Sequence, residues 1–314
     1  MPIASSRSSH GSPAEPLIDS DNREICRSGF QIGGISVQVT SQSKEDVAFD
    51  PLLEVFRCSP ENPDINIEIS WLPSLDVVAS RKLFDSGSVW RLYESDTDLQ
   101  FDFTAPVFGG LPYKRLFVDR RFRRAALQMS EASFLGTAVR PYPLDYPLDE
   151  LLITHRLTQE SAIELHSCGI ATGNVSNLFV GHSGAGKSTT SRLWAVHDGV
   201  DILSDDRIIL RGHAGRIYMY GTPWHGEAAF SLPASSPLAR IFVIEHGLGN
   251  VLTRLSPTQA MAELFARSFV PFHRHEYVDS ALEFLQELVN AVPVYRYAFE
   301  PDQRAVEKIR NFHD

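Results

Sequence analysis

The chain has 314 residues, 43% of them hydrophobic and 22% charged, a globular balance that excludes wholesale disorder and can bury a core without disulfide or metal staples. With 39 acidic against 29 basic side chains the net charge is -10, so neither a nucleic-acid binder nor an anionic-membrane binder is expected, since both need a basic footprint. Cys26, Cys58 and Cys168 are widely spaced and form no CxxC, which fits a reducing, cytoplasmic compartment.

Residues 1–25 form a Ser- and Pro-rich lead with no apolar stretch of a secretory signal, and this lead is expected to be disordered. No apolar run approaches the ~20 residues of a membrane span. A β-rich N-terminal domain is expected over 26–140. Gly29 to Thr40, Ile65 to Ile69, Val89 to Tyr93, Leu99 to Phe103 and Lys114 to Val118 alternate apolar and polar residues, the pattern of a mostly antiparallel sheet. Turn clusters such as Ser59 to Pro63 and Gly109-Gly110 separate them. The basic run Arg120, Arg121, Arg123 and Arg124 reads as a solvated turn or strand face.

Pro141, Pro143 and Pro147 interrupt the chain and mark a boundary, because proline fixes φ and pushes its predecessor out of the helical region. Beyond it, over 141–314, an α/β catalytic domain is expected. Leu148 to Leu157 reads as a helix, Ala162 to Ala171 and Asn177 to Val180 as strands, and Arg207 to Tyr220 as a hairpin. Ser256-Pro257 starts a helix running to about Phe269, Asp279 to Val289 carries a second helical stripe, and Val294 to Phe299 closes as a strand.

Chemistry concentrates in Gly181-His182-Ser183-Gly184-Ala185-Gly186-Lys187-Ser188, which fits G-x-x-x-x-G-K-[ST] and stands between an apolar strand and a helix-compatible run from Thr189. Such a loop turns its backbone N–H groups toward phosphate oxygens, with the helix N-terminus behind them. Gly181, Ser183, Gly184, Ala185, Gly186, Lys187, Ser188 and Thr189 are therefore the candidate nucleotide-binding residues. Lys187 is placed to reach the β and γ phosphates and Ser188 to ligate Mg²⁺.

Asp205 and Asp206 end the next expected strand, Val200 to Leu203, and so fall beside the loop. One carboxylate there can hold Mg²⁺, and the other can take the proton of an acceptor hydroxyl. A GTPase is disfavoured by the absence of N-K-x-D, and a transporter-type ATPase by the absence of LSGGQ. His273-Arg-His275 lacks the further ligands of a zinc site.

With Leu165-His166-Ser-Cys-Gly169, the loop and Ser204-Asp205-Asp206-Arg207, the chain resembles the C-terminal catalytic domain of HPr kinase/phosphorylase over roughly residues 150 to 230. The resemblance implies a phosphoenolpyruvate-carboxykinase-like P-loop fold, ATP and Mg²⁺ as cofactors, and His166 against the acid pair. Thr222-Pro-Trp-His-Gly-Glu227 is similar to a stretch of HPr-kinase-like proteins, including kinases of peptide-tailoring pathways, and offers Glu227 as a further metal contact and His225 as a ligand-side group. No counterpart of the family's E-I-R-G-L-G or R-E-V-P-V segments is found, so HPr itself is not the expected acceptor. The reading is an ATP- and Mg-dependent kinase acting on a hydroxyl of a peptide, small protein or free serine. Lys187, Asp206 (base) and His166 are its catalytic residues, and Ser188, Asp205 and Glu227 its metal contacts. The alternatives are an ATP-sensing module that docks a partner and, last, a carboxykinase-like lyase. Homo-oligomerisation is left open.

Overall fold

A computed structural model describes residues 17–18, 24–77, 80–95, 98–137, 141–173 and 175–313. The expected disordered lead falls largely outside the described residues. Its described part is a short strand, β1 (Leu17–Ile18), paired antiparallel with Glu24 and Ile25 at the start of β2 (Glu24–Ile32).

β2 and β3 (Ile35–Ser41) form a hairpin closed by Gly33 and Gly34, both at positive φ. A one-turn helix, α1 (Pro51–Glu54), follows; the Asp50 side chain caps it by accepting from Leu52 N and Leu53 N. Then come β4 (Ile65–Leu72), β5 (Arg81–Asp85), β6 (Trp90–Glu94), β7 (Asp98–Thr104), β8 (Pro112–Asp119) and β9 (Arg124–Ser130). The strand order is β1-β2-β3-β4-β9-β8-β7-β6-β5. All neighbours are antiparallel except β4, which runs parallel to both β3 and β9. Along β4 the alternation is strict, with Ile65, Ile67 and Ile69 inward and the residues between them exposed. In the basic run, Arg121, Arg123 and Arg124 are exposed, and Arg120 pairs with Glu94 at 2.8 Å. Between them Phe122 turns at φ 50 and is wholly buried, stacked on His155.

The second sheet is built from β10 (Ala162–Thr172), β11 (Val175–Val180), β12 (Val200–Ser204), β13 (Arg207–His213), β14 (Arg216–Tyr220), β15 (Ser235–Pro237), β16 (Arg240–His246), β17 (Val251–Arg254) and β18 (Val294–Phe299). Its order is β15-β14-β13-β10-β11-β16-β18-β17, with β12 also on β10. β11, β16 and β18 are parallel neighbours. β12 and β13 both pair with β10, one against Gly169 to Thr172 and the other against Ala162 to His166. Asp205 and Asp206 form the joint between them.

Helices cover both faces. α4 (Pro257–Phe265) and α5 (His275–Ala291) pack on a core of Leu165, Leu178, Ile208, Ile241 and their neighbours. α3 (Lys187–Ala195), through its Trp194, and α6 (Gln303–Arg310) pack on Phe179, Phe242 and Tyr295. α2 (Leu148–Leu157) packs elsewhere: Leu148, Leu152, Ile153 and Leu157 join the core of the first sheet, together with Ile209 and Trp224 from beyond it. Two helix boundaries differ from the sequence expectation. The first helix stops at Phe265 because Arg267 to Phe269 pairs with β10 instead, through His166 N–Arg267 O (2.8 Å) and Phe269 N–Glu164 O (2.9 Å). The second starts at His275, four residues early, after an N-cap, Arg274, that makes no side-chain cap bond. Among the described residues no helix is long and apolar enough to cross a membrane.

Candidate active site at the phosphate loop

β11 ends at Val180 and delivers the Gly-rich loop to the carboxyl ends of the parallel strands, where open α/β sheets bind ligands. Two glycines make the turn into α3. Gly184 sits at φ 79, and Gly186, the N-cap of the helix, at φ 103, a region that residues with a Cβ rarely enter. A Cβ on Gly186 would also come within 2.7 Å of Phe299. Among the described residues the backbone N–H groups of Gly184, Gly186, Lys187 and Ser188 find no acceptor, as expected at the open N-terminus of a helix. The Lys187 ammonium folds back under the loop and donates to Gly181 O (3.0 Å) and His182 O (3.2 Å). Burial pulls it down to about 8, against the raising charge of Asp206.

The two acids of the β12–β13 joint occupy different environments. Asp205 is fully buried. Its Oδ2 accepts from Ser188 Oγ (3.1 Å) and Ala228 N (2.9 Å), and its Oδ1 from Gly226 N (3.0 Å) and Phe230 N (3.3 Å). The segment from Gly221 to Phe230 is thus a clamp whose backbone amides close on Asp205. Ser188 and Asp205 are brought together as the spacing implied. The Glu227 carboxylate is not among them: it is exposed and has no hydrogen-bond or ion-pair partner among the described residues, while its backbone carbonyl accepts from Arg192 Nη2 at 3.1 Å. His225 turns its Nδ1 to Gly226 O (2.9 Å).

Asp206 faces the other way, into a cleft lined also by Asp50, Tyr146 and Trp224. His166 Nε2 donates to its Oδ1 at 2.9 Å, and Arg207 Nη1 donates to its Oδ2. His166 stands opposite Arg207 in the β10–β13 register, so the pairing of these strands sets the contact. Burial by itself would raise the Asp206 carboxyl, but the His166 hydrogen bond and then the Arg207 charge hold it below the usual carboxylate range.

Sequence reasoning missed the acids behind this pair. Arg207 reaches Glu150 at 3.0 Å and Glu164 at 3.6 Å, and its guanidinium lies 4.1 Å from the centroid of the Phe269 ring. Burial, then the neighbouring Glu150 charge, pushes Glu164 well above the usual carboxylate range. Asp149 is buried beside them; its Oδ2 accepts from Trp224 Nε1 at 2.7 Å, and burial raises it to about 7. Asp149 and Glu150 lie in the first turn of α2, where acidic residues are common, and nothing in the local sequence marks Asp149 as buried or Glu150 as partly so.

No family model matches the chain, and no curated protein matches it. Among solved structures it is similar to the Hpr(Ser) kinase/phosphatase from Coxiella burnetii, at 11% identity over 47% of this chain and 94% of that one, with a TM-score of 0.28.

Proposed function

We propose that the protein is an ATP- and Mg²⁺-dependent kinase that transfers the γ-phosphoryl group to a hydroxyl of a peptide, small protein or free amino acid, serine being the expected bearer. The observation that carries the reading is the division of labour between consecutive acids: Asp205 holds the loop hydroxyl of Ser188, and Asp206 faces the cleft with His166 at 2.9 Å. The residues fit a magnesium nucleotide. Unpaired loop amides suit phosphate oxygens, and a hydroxyl beside a carboxylate is the hard donor set that Mg²⁺ prefers. Among the described residues no group of three or more His, Cys, Asp or Glu could hold a metal ion, so a cation here would complete its shell with phosphate oxygens and water. Bound through Ser188, with Asp205 behind it, Mg²⁺ would neutralise charge on the β and γ phosphates.

The chain's own groups supply the rest. The loop amides and Lys187 hold the phosphates in place. Asp206, kept ionised by His166 and Arg207, takes the acceptor's proton. The acceptor oxygen bonds to the γ-phosphorus as the bond from that phosphorus to the β,γ-bridging oxygen breaks, and ADP leaves. The test is transfer from γ-labelled ATP, with Mg²⁺, to serine, an HPr and a panel of serine-containing peptides and small proteins, with Lys187→Ala as control. Asp206→Asn is expected to keep nucleotide affinity and lose about 10²-fold or more of transfer, the usual scale of a general base. Unchanged turnover in that variant would remove the base assignment.

One observation favours a second reading. Both Asp206 oxygens are already engaged, by His166 and Arg207, as in a site that binds nucleotide without transferring from it. The chain would then be an ATP-sensing module. Tight nucleotide binding with no label on any acceptor, coupled to affinity for a partner, distinguishes it.

A further inference from the structure

Asp206 lies in the wall of a cleft of about 250 Å³, between α1 of the first sheet and the β12–β13 joint of the second. That volume is below the roughly 300–1,000 Å³ of pockets for drug-sized ligands, and suits a small molecule or one residue of a chain. Asp50, Tyr146, Asp149, Arg207 and Trp224 line it too.

The polar groups of this cleft are unevenly matched. Arg207 is shared by Asp206, Glu150 and Glu164. Asp50 spends its Oδ1 on the cap of α1. His225, at the rim, spends its Nδ1 on its own loop. Lys114, on which the Asp149 charge acts, is wholly buried and donates to Asp145 and Pro143 O. Asp149 is the exception. It is only 3% exposed, its Oδ2 takes the Trp224 indole N–H, and among the described residues its Oδ1 has no hydrogen-bond partner. A buried carboxyl oxygen left unpaired costs the full desolvation of that group, so a ligand that supplies a donor there gains what the apo protein forgoes. Three acids, Asp50, Asp149 and Asp206, line the cleft against the one guanidinium of Arg207, which also serves Glu150 and Glu164, so the donor that matches this surplus of acid is a cation.

We propose that this cleft is the acceptor subsite and that it takes a primary ammonium group close to the hydroxyl to be phosphorylated, with Asp149 Oδ1 receiving the ammonium and Asp206 the hydroxyl. The acceptor class is therefore a small amino alcohol or an N-terminal seryl residue. The hydroxyl half of this assignment rests on the kinase reading; the ammonium half does not.

The experiment separates the two. Full-length protein without nucleotide is titrated with L-serinamide and with N-acetyl-L-serinamide, which differ in the ammonium charge, and binding is followed by ligand-observed NMR. The same two compounds are then offered γ-labelled ATP and Mg²⁺. L-serinamide is expected to bind about tenfold or more tightly than its acetylated form, as a charge-assisted hydrogen bond supplies. Asp149→Asn should erase that preference and leave the acetylated compound's affinity unchanged; Asp149→Leu, which removes the buried acid altogether, provides the same comparison should the amide variant fold poorly. Equal binding of the two compounds, no binding of L-serinamide at millimolar concentration, or a preference that survives in a folded Asp149 variant would overturn the ammonium site. Amine-selective binding with no label on either compound would keep the site and remove the kinase. Label on both compounds alike would keep the kinase and remove the ammonium requirement.

Discussion

Lys187 is a largely buried ammonium turned back on its own loop. Its donors point at two carbonyls of its own loop, and burial brings it down to about 8, so it sheds its proton only slightly above neutrality. A bound triphosphate would raise it again, since an opposite charge at contact favours the charged form. The sign follows: nucleotide binding is fully supported well below pH 8 and must take up a proton above it. Affinity for Mg²⁺-ADP, measured by calorimetry, is expected to be steady near pH 7, about twofold lower at pH 8 where half the free ammonium is lost, and then to fall by up to roughly tenfold per pH unit toward the ordinary lysine range near 10.4. Buffers of different ionisation enthalpy should report the proton uptake. Lys187→Met should bind weakly with no such slope, and an equally steep slope in that variant would assign the titration elsewhere. Asp206 needs no comparable tuning within this range, because His166 and Arg207 keep it ionised throughout.

At the scale of elements, the strand–loop–helix unit and the clamp over Asp205 were unequally legible. The loop, the acid pair and His166 are fixed by short spacings along the chain, and β10, β11 and β12 carry those spacings into contact. That much could be read from order alone. The burial of Asp149 and Glu164, and the partial burial of Glu150, could not, because it arises where α2 meets residues far away in sequence. β16 and α6 were also missed: β16 is an apolar run between two parallel neighbours and shows no alternation, and α6 buries only Ala305, Val306 and Ile309 among charged residues. The stop of α4 was unreadable for a related reason, as the unpaired edge of β10 outcompeted helix propensity. The clamp gives a sharp test of this scale. A Cβ on Gly226 would approach Asp205 Oδ2 to 2.8 Å and Asp206 Cβ to 3.2 Å, and neither neighbour is a flexible chain end. Gly226→Ala is expected to cost about 1–3 kcal/mol in urea unfolding, as overpacking does. It should also weaken Mg²⁺-nucleotide binding, since the displaced amides no longer hold the carboxylate that holds Ser188. Wild-type stability with wild-type binding would mean that the clamp does not position Asp205.

Across the whole molecule, the sequence marks a boundary at Pro141 to Pro147 that the packing does not respect. α2 lies beyond those prolines, yet its Leu148, Leu152, Ile153 and Leu157 are buried in the core of the first sheet, joined there by Ile209 and Trp224. Arg211 donates to Gly33 O at 3.0 Å across the same junction, and a Cβ on Gly33 would come within 2.7 Å of Ile209. The cleft is built on this seam, with Asp50 from one side and Asp206 from the other. The Gly-rich loop, by contrast, is held between β11 and α3 and against Ile244 of β16 and Phe299, all on the far side. Cutting the chain before Pro141 should therefore separate two properties that the intact protein couples. A 141–314 fragment would expose the apolar face of α2, and each large side chain left uncovered forfeits roughly 1.5–3 kcal/mol. Against a net stability of about 5–15 kcal/mol, that loss is expected to abolish cooperative thermal unfolding or lower its midpoint by 10 °C or more, by the roughly 2–4 °C per kcal/mol of domains this size. Adding the 26–140 segment in trans should restore both the transition and the cleft if the shared core is what fails. A fragment that melts like the full chain and still binds L-serinamide would show that the first sheet contributes neither to the stability of the 141–314 segment nor to the proposed ammonium site.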